Sequence, residues 1–364
     1  HRVRRAARAP CDGRVMGPDV RRVGVVLVNL GGPDRQEAVR PFLFNLFHDP
    51  AIISLPQPFR WLIAQLISRL REKSAQANYA KMGGGSPIVP ESQKQADALS
   101  EALNRRWAGT GAEAHVTLAM RYWKPFSTDA VEAMKAAGVD DVVFTPLYPQ
   151  FSTTTTASSW KAWRAAGGAG SRAICCYPSL EGFITAHAER VVETWEKAGR
   201  PPRTRVLFSA HGLPQKVIDA GDPYQTQVEE TVAAIAARLP EGLEHVVCYQ
   251  SRVGPLKWIG PSTEEALEAA VEDGMGVIVS PVAFVSEHIE TLVELDEEYA
   301  EKAEELGMSH YLRAPAIGTH PAYIEALADL VEEAAFGPSR IVSARANGDC
   351  GARCAVCPKR QLAA

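Results

Sequence analysis

Apolar positions along this chain fall into two alternating registers. Val23 to Leu30 (VGVVLVNL), Val142 to Leu147 and Val277 to Val279 are apolar at nearly every position, as in strands buried on both faces of a parallel sheet. Ala114 to Met120, Ala173 to Tyr177, Val206 to Ser209 and His245 to Gln250 read as further strands. Between them, helices are predicted at Glu91 to Trp107, Ser127 to Ala137, Glu181 to Lys197, Tyr224 to Leu239 and Thr263 to Glu272. Strands alternating with helices of this length predict an α/β fold: two doubly wound, Rossmann-like domains with parallel sheets around a central cleft. The expected division is a disordered basic extension (1–22), a first domain (23–185), a second domain (186–325), and a C-terminal helix with a cysteine-rich tail (326–364) packing back on the first domain.

One segment does not fit that alternation. From Ile52 to Leu70, eight large apolar residues including Leu55, Phe59, Trp61, Leu62 and Leu66 crowd together ahead of Arg71 and Lys73. The pattern reads first as a buried helix, with an interfacial helix or an apolar lip over a pocket as alternatives. No apolar run approaches the roughly 18 residues needed to span a bilayer.

A second irregularity is acidic. After the Val277–Val279 strand, Ser280-Pro281 ends the run and a helix is predicted from an N-cap at Ser286. Glu290, Glu294 and Glu298 then stack along one face, with Glu287 and His288 at its first turn and no Lys or Arg between Glu287 and Glu298. Like charges at this spacing disfavour a helix by roughly a few tenths of a kcal/mol per pair. The row is either a solvated face or a device for cations and protons in a cleft.

Ligands of open parallel sheets sit beyond the carboxyl ends of strands. His211, in Leu207-Phe208-Ser209-Ala210-His211-Gly212, occupies such a place, and so do Arg121-Tyr122-Trp123. A neutral imidazole opposite carboxylates suits divalent-metal binding or proton removal from a nitrogen acid. Gly31-Gly32 after the first strand lacks both a dinucleotide-binding and a phosphate-loop pattern and reads as room for a flat ligand.

Composition narrows the field. The 364 residues carry a net charge of -4, 46% hydrophobic and 23% charged residues, a balance that excludes a nucleic-acid binder. Seven cysteines, an odd number with no secretory signal in view, argue against a disulfide framework. Cys350, Cys354 and Cys357 are dense enough to suit a metal or iron-sulfur centre.

Eight motifs taken in order resemble the ferrochelatase family, which inserts Fe(II) into a porphyrin at the end of haem synthesis. They are VNLGGPD (28–34), GGGSPI (83–88), MRYWKP (120–125), PLYPQFS (146–152), SAHGLP (209–214), GDPY (221–224), QSRVGPLKWIGP (250–261) and SEHIETLVELDEEY (286–299). The resemblance covers about Val23 to Tyr323 and implies a chelatase-like fold. It implies His211 as the cleft histidine and Glu290 as its carboxylate partner, both near the Fe(II) substrate. Glu294 and Glu298 would form an acidic path, with Arg121 and Tyr122 on the opposite wall. Leu30, Tyr148, Trp258 and residues 52–66 would pack on the macrocycle, and Arg71, Tyr79 and Ser86 would hold its propionates. The partners implied are porphyrin and ferrous iron, in the cytoplasm, with peripheral contact of 52–70 at the inner membrane.

Some members of that family carry a [2Fe-2S] cluster on C-terminal cysteines plus one from the first domain. The loop that supplies the distant cysteine in animals reads Ser152-Thr153-Thr154 here, so Cys176 or Cys175 is the expected fourth ligand to Cys350, Cys354 and Cys357, ahead of Cys248 and Cys11. Protoporphyrin IX is the expected substrate. Coproporphyrin III, cobalt chelation, or a non-catalytic haem or iron carrier are the alternatives.

Overall fold

The computed structural model describes residues 20–252 and 256–345. Residues 1–19, which include Cys11, and the tail cysteines Cys350, Cys354 and Cys357 lie outside the described residues. Along the chain, β1 (Arg21–Asn29) leads through α1 (Val39–His48), α2 (Phe59–Lys81) and α3 (Ile88–Trp107) to β2 (Ala112–Met120). Then come α4 (Ser127–Ala136), β3 (Asp141–Pro146), α5 (Thr156–Trp163), β4 (Arg172–Ile174) and α6 (Glu181–Lys197). The second half runs β5 (Thr204–His211), α7 (Gln215–Asp219), α8 (Tyr224–Ala236), β6 (Glu244–Gln250), α9 (Thr263–Glu272) and β7 (Gly276–Pro281). A π-helical segment, Glu290–Glu298, continues into α10 (Tyr299–Glu305), followed by β8 (Tyr311–Arg313), α11 (Pro321–Phe336) and β9 (Ile341–Val342).

Two parallel sheets result, ordered β2-β1-β3-β4-β9 and β6-β5-β7-β8. β1 is central because Val23 to Asn29 are all buried, as a strand paired on both sides and covered on both faces requires. In each sheet the strand order reverses direction beside the first strand, at β1/β3 and at β5/β7. Such switch points open a crevice at the carboxyl ends. α6 and α11 pack on one another, and a continuous apolar cluster runs from Val23 and Leu27 through Phe183, Tyr323 and Leu327 to Phe208 and Ile278.

Buried amides join the lobes near these edges. Gln95 Nε2 on α3 donates to the carbonyls of Val285 and Gly318, both at 2.9 Å, and its Oε1 accepts from Ser286 Oγ at 2.9 Å. Gln150 donates to Thr231 Oγ1, and the Phe151 amide donates to Gln227.

Several expectations change. Ser286 caps no helix, because its hydroxyl is committed to Gln95, and the helical turn opens only near Glu290. α2 is not a buried helix: Phe59, Leu62, Leu66 and Leu70 are 53–72% exposed, at spacings of three and four that place them on one side. Its inward face is instead Ala64, Ser68 and Tyr79, against α1. Beyond Ser152-Thr153-Thr154 the chain turns helical at Thr156, since Trp160 and Trp163 supply a face to bury and Trp160 packs edge-on to Phe144. The glycine turn after β1 serves the protein's own packing. Gly31 has φ +81, and a Cβ on Gly32 would lie 2.5 Å from the Ser86 Cβ.

Candidate active site

His211 is the last residue of β5, and the loop after β7 brings Glu290 across the switch point beside it. The ring Nδ1 lies 2.9 Å from Glu290 Oε2. Burial disfavours the imidazolium, but the charge and hydrogen bond of Glu290, with the charge of Glu294 behind it, hold the His211 pKa above its ordinary value. Burial likewise disfavours the Glu290 carboxylate, and the His211 pairing reverses this and keeps it well below the usual range. With Glu290 ionised, neutral His211 carries its proton on Nδ1 and presents the Nε2 lone pair.

A second imidazole stands close by. His288 is 5% exposed, its Nδ1 lies 3.1 Å from the Ser286 carbonyl, and its ring contacts Phe284 with centroids 4.5 Å apart. A carbonyl can only accept, so Nδ1 bears the proton. Burial lowers the His288 pKa despite the Glu290 charge nearby, so the ring is neutral. The sequence placed His288 beside the acidic row without giving it a part. The signal was its adjacency to Glu290 in SEHIE.

Glu294 is held by four donors: the Ser251 amide at 2.9 Å, Ser251 Oγ at 2.6 Å, Gln250 Nε2 at 3.0 Å and Tyr299 OH at 3.2 Å. Ser251 adopts φ 64 to present amide and hydroxyl together. Burial and the Glu290 charge nevertheless raise the Glu294 pKa. Glu298 is exposed, so the row passes from the half-buried Glu290 and Glu294 to solvent. The missing counter-charge comes from β8, where Arg313 pairs with Glu287 and Asp296, both at 2.6 Å. Lys81, at the end of α2, meets Glu297 at 2.5 Å.

The residues expected on the opposite wall stand at the carboxyl ends of β1 and β2. Arg121 and Tyr122 donate backbone amides to the carbonyls of Asn29 and Leu30. Both side chains end on Asp49, a residue to which the sequence reading gave no role; His48-Asp49-Pro50 marked only a helix end. Tyr79, Tyr122 and Phe42 form one apolar cluster with Leu30, Phe47 and Ile289, which brings the α2 lip, this wall and the residue before Glu290 together. Burial and the Glu290 charge push the Tyr79 hydroxyl far above its ordinary range.

Trp258 lies beside the histidine: its Cε3 is 3.4 Å from where a Gly212 Cβ would stand. Its Nε1 and the Tyr148 hydroxyl are buried without a hydrogen-bond partner among the described residues. Arg71 is exposed on α2 with its guanidinium 5.9 Å over the Phe47 ring. Ser86 is occupied by local hydrogen bonds to Pro33 and Ile88. Among the described residues, no group of three or more His, Cys, Asp or Glu is placed to hold a metal ion.

Comparison with known proteins shows the family. The family model described as Ferrochelatase matches residues 22–335. A Ferrochelatase of Caulobacter vibrioides is 56% identical over 93% of this chain and 98% of its own. One from Phenylobacterium zucineum is 57% identical over 87% and 91%. Among solved structures, SirB from Bacillus subtilis with Fe3+ shares 14% identity and a TM-score of 0.50, covering 87% of this chain and 96% of that one, a likeness of fold alone. A family match over nearly all the described residues, and relatives above half identity, establish that the chain belongs to the ferrochelatase family.

Proposed function

We infer that this chain is a protohaem ferro-lyase of haem synthesis: it inserts Fe(II) into protoporphyrin IX and releases two protons. The observation that carries the reading is the His211–Glu290 pair, at 2.9 Å and at the switch point of the second sheet. A free-base porphyrin holds two N–H protons that must leave as the dication enters, so one face needs a base. His211 Nε2 accepts a pyrrole proton, and Glu290, already ionised, stabilises the imidazolium that forms. The Glu290 carboxylate also meets Fe(II) near the ring centre, joined by the His211 ring only while its Nε2 is unprotonated. Glu294, whose raised pKa suits it to hold a proton in transit, carries that proton on toward Glu298 and solvent, which frees His211 to accept the second pyrrole proton.

Leu30, Tyr148, Trp258 and the lip at 52–66 flank the macrocycle, with Arg121 and Tyr122 on the wall opposite. Arg71, Tyr79 and Ser86 are the propionate-side groups; exposed Arg71 supplies the charge. The test is His211→Ala in a porphyrin-fluorescence insertion assay with Fe(II) and Zn(II). Porphyrin binding is expected to persist while insertion falls by at least a hundredfold; robust turnover sinks the assignment. Running coproporphyrin III and Co(II) in parallel decides the neighbouring activities.

The exposed stripe of Leu55, Phe59, Leu62, Leu66 and Leu70 supports peripheral contact with a bilayer surface in the cytoplasm. No described helix is long and apolar enough to cross one. Co-sedimentation with anionic vesicles, lost in Leu62→Ser/Leu66→Ser, tests this.

For the cysteine-rich tail, we propose a [2Fe-2S] site. β9 pairs with β4, the Cys175 amide donates to the Val342 carbonyl, and the Ala344 amide donates to the Cys176 carbonyl at 3.1 Å. The tail thus departs beside two buried cysteines, and Gln227 Nε2 lies 3.6 Å from Cys176 Sγ, a donor suited to a thiolate. Cys350 is six residues past Ala344, a reach of about 20 Å when extended. Cys350, Cys354 and Cys357 with Cys176, or Cys175, make up the four thiolates such a cluster takes, and a bound cluster would supply redox sensitivity there. Anaerobically purified protein is expected to show cluster absorption and about two irons per chain, both lost in Cys354→Ser; colourless, iron-free protein argues against it.

A further inference from the structure

Asp49 follows α1 directly and is 4% exposed. Its Oδ2 accepts from Arg121 Nη2 at 2.8 Å, from Tyr122 OH at 2.7 Å and from Ser158 Oγ. Its Oδ1 accepts from the Ala51 amide at 2.9 Å. Arg121 Nε donates to the same Ser158 hydroxyl at 2.7 Å, which closes a ring, and the guanidinium lies 4.9 Å from the Tyr122 ring centroid. Burial opposes the charge on Asp49, yet Ser158, Arg121, Ala51 and Tyr122 together hold its carboxyl below the ordinary value. A carboxylate this buried persists only when paired and fully hydrogen-bonded, and this one is.

The ring joins three parts of the first lobe. Arg121 and Tyr122 come from the end of β2, Ser158 from α5, and Asp49 from the segment leading into the lip, where its carbonyl also accepts from the Ile52 and Ile53 amides. Arg121 keeps 23% of its side chain exposed while its counter-ion keeps 3%. The cation is therefore the more open partner of the pair. Tyr122 is 1% exposed and donates its hydroxyl proton to Asp49.

We propose that Asp49 is a positioning residue for metallation, holding Arg121 and Tyr122 as one rigid and electrically neutral wall. Without it, a dication entering the cleft meets an unpaired guanidinium where solvent screens poorly. This rests on the porphyrin-metallating reading above and assigns Asp49 no contact with substrate.

The experiment measures Zn(II) insertion by the full chain and, separately, porphyrin affinity by fluorescence. In Asp49→Asn, which keeps the size and one acceptor oxygen, the KM for metal is expected to rise at least tenfold while the porphyrin Kd stays within twofold. Adding Arg121→Gln to that variant removes the orphaned cation and is expected to lower the metal KM at least threefold from that of Asp49→Asn. A merely structural role would show no such rescue. Ser158→Ala keeps the idea testable if Asp49→Asn does not fold: it opens the hydrogen-bond ring that fixes Arg121 on Asp49, so the metal KM is expected to rise at least threefold with the porphyrin Kd within twofold, and an unmoved metal KM overturns the proposal. An unmoved metal KM in folded Asp49→Asn, a parallel loss of porphyrin affinity, or a double variant no better than the single also overturns it. A parent chain without chelatase activity overturns the underlying reading instead.

Discussion

His211 and Glu290 are 79 residues apart and meet at 2.9 Å. Each side chain controls the other's protonation. Glu290→Gln removes the main charge that holds the His211 pKa above 6.5, and burial, then opposed only by the Glu294 charge, lowers it. The acceptor must be neutral, so the acid limb of kcat/KM in the parent lies above about pH 6.5, where His211 loses its proton. In Glu290→Gln that limb is expected to move to lower pH, alongside a fall in kcat of at least tenfold. A pH-rate profile of both proteins checks this, and an unmoved limb refutes the coupling.

The buried Gln95 makes a different kind of prediction. All three of its hydrogen bonds reach the second lobe, onto the loop that precedes Glu290 and the loop that precedes α11. Gln95→Leu keeps the volume and leaves the Val285 and Gly318 carbonyls without that donor. The Val285 carbonyl still accepts from the Gly318 amide, so the loss falls on the Gly318 carbonyl and the Ser286 hydroxyl; stranding a buried polar group costs roughly 1–3 kcal/mol, and a loss of about 1–3 kcal/mol is expected in denaturant unfolding. Because Ser286 also fixes the His288 tautomer, kcat is expected to fall with stability. A loss under about 1 kcal/mol would mean that water replaces the amide.

Where the sequence was legible, it was so for a physical reason. Continuous apolar runs at Val23–Leu30 and Val277–Val279 can exist only in strands covered on both faces, so the parallel sheets could be read directly. His211 could be placed because strand ends carry sites. The lip could not, since Leu62 and Leu66 have the same helical spacing whether their stripe meets core or solvent. Asp49 was hidden because its partners, 72 and 73 residues away, become neighbours only when β1 and β2 pair. Nor does local propensity reveal that Glu290–Glu298 winds as a π-helix; the long-range hold of Arg313 on Glu287 and Asp296 accompanies that winding.

The last prediction concerns a histidine outside the site. His187 on α6 is 0% exposed, both ring nitrogens are without a hydrogen-bond partner among the described residues, and the Phe183 ring stands edge-on at 4.8 Å. Burial, with the neighbouring His320 charge adding to it, pushes its pKa down to about 3. The unfolded chain binds a proton near pH 6.5 and the folded chain does not until about pH 3, so between those values the unfolded state holds more protons and stability falls as pH falls. The full effect is on the order of 4–5 kcal/mol. His187→Phe removes the titrating group in a site already walled by an aromatic ring. Its unfolding free energy is therefore expected to drop less than the parent's between pH 7 and pH 4, by at least about 2 kcal/mol. Denaturant titrations at the two pH values measure the difference, and equal losses in both proteins would show that His187 is not protonated on unfolding in that range.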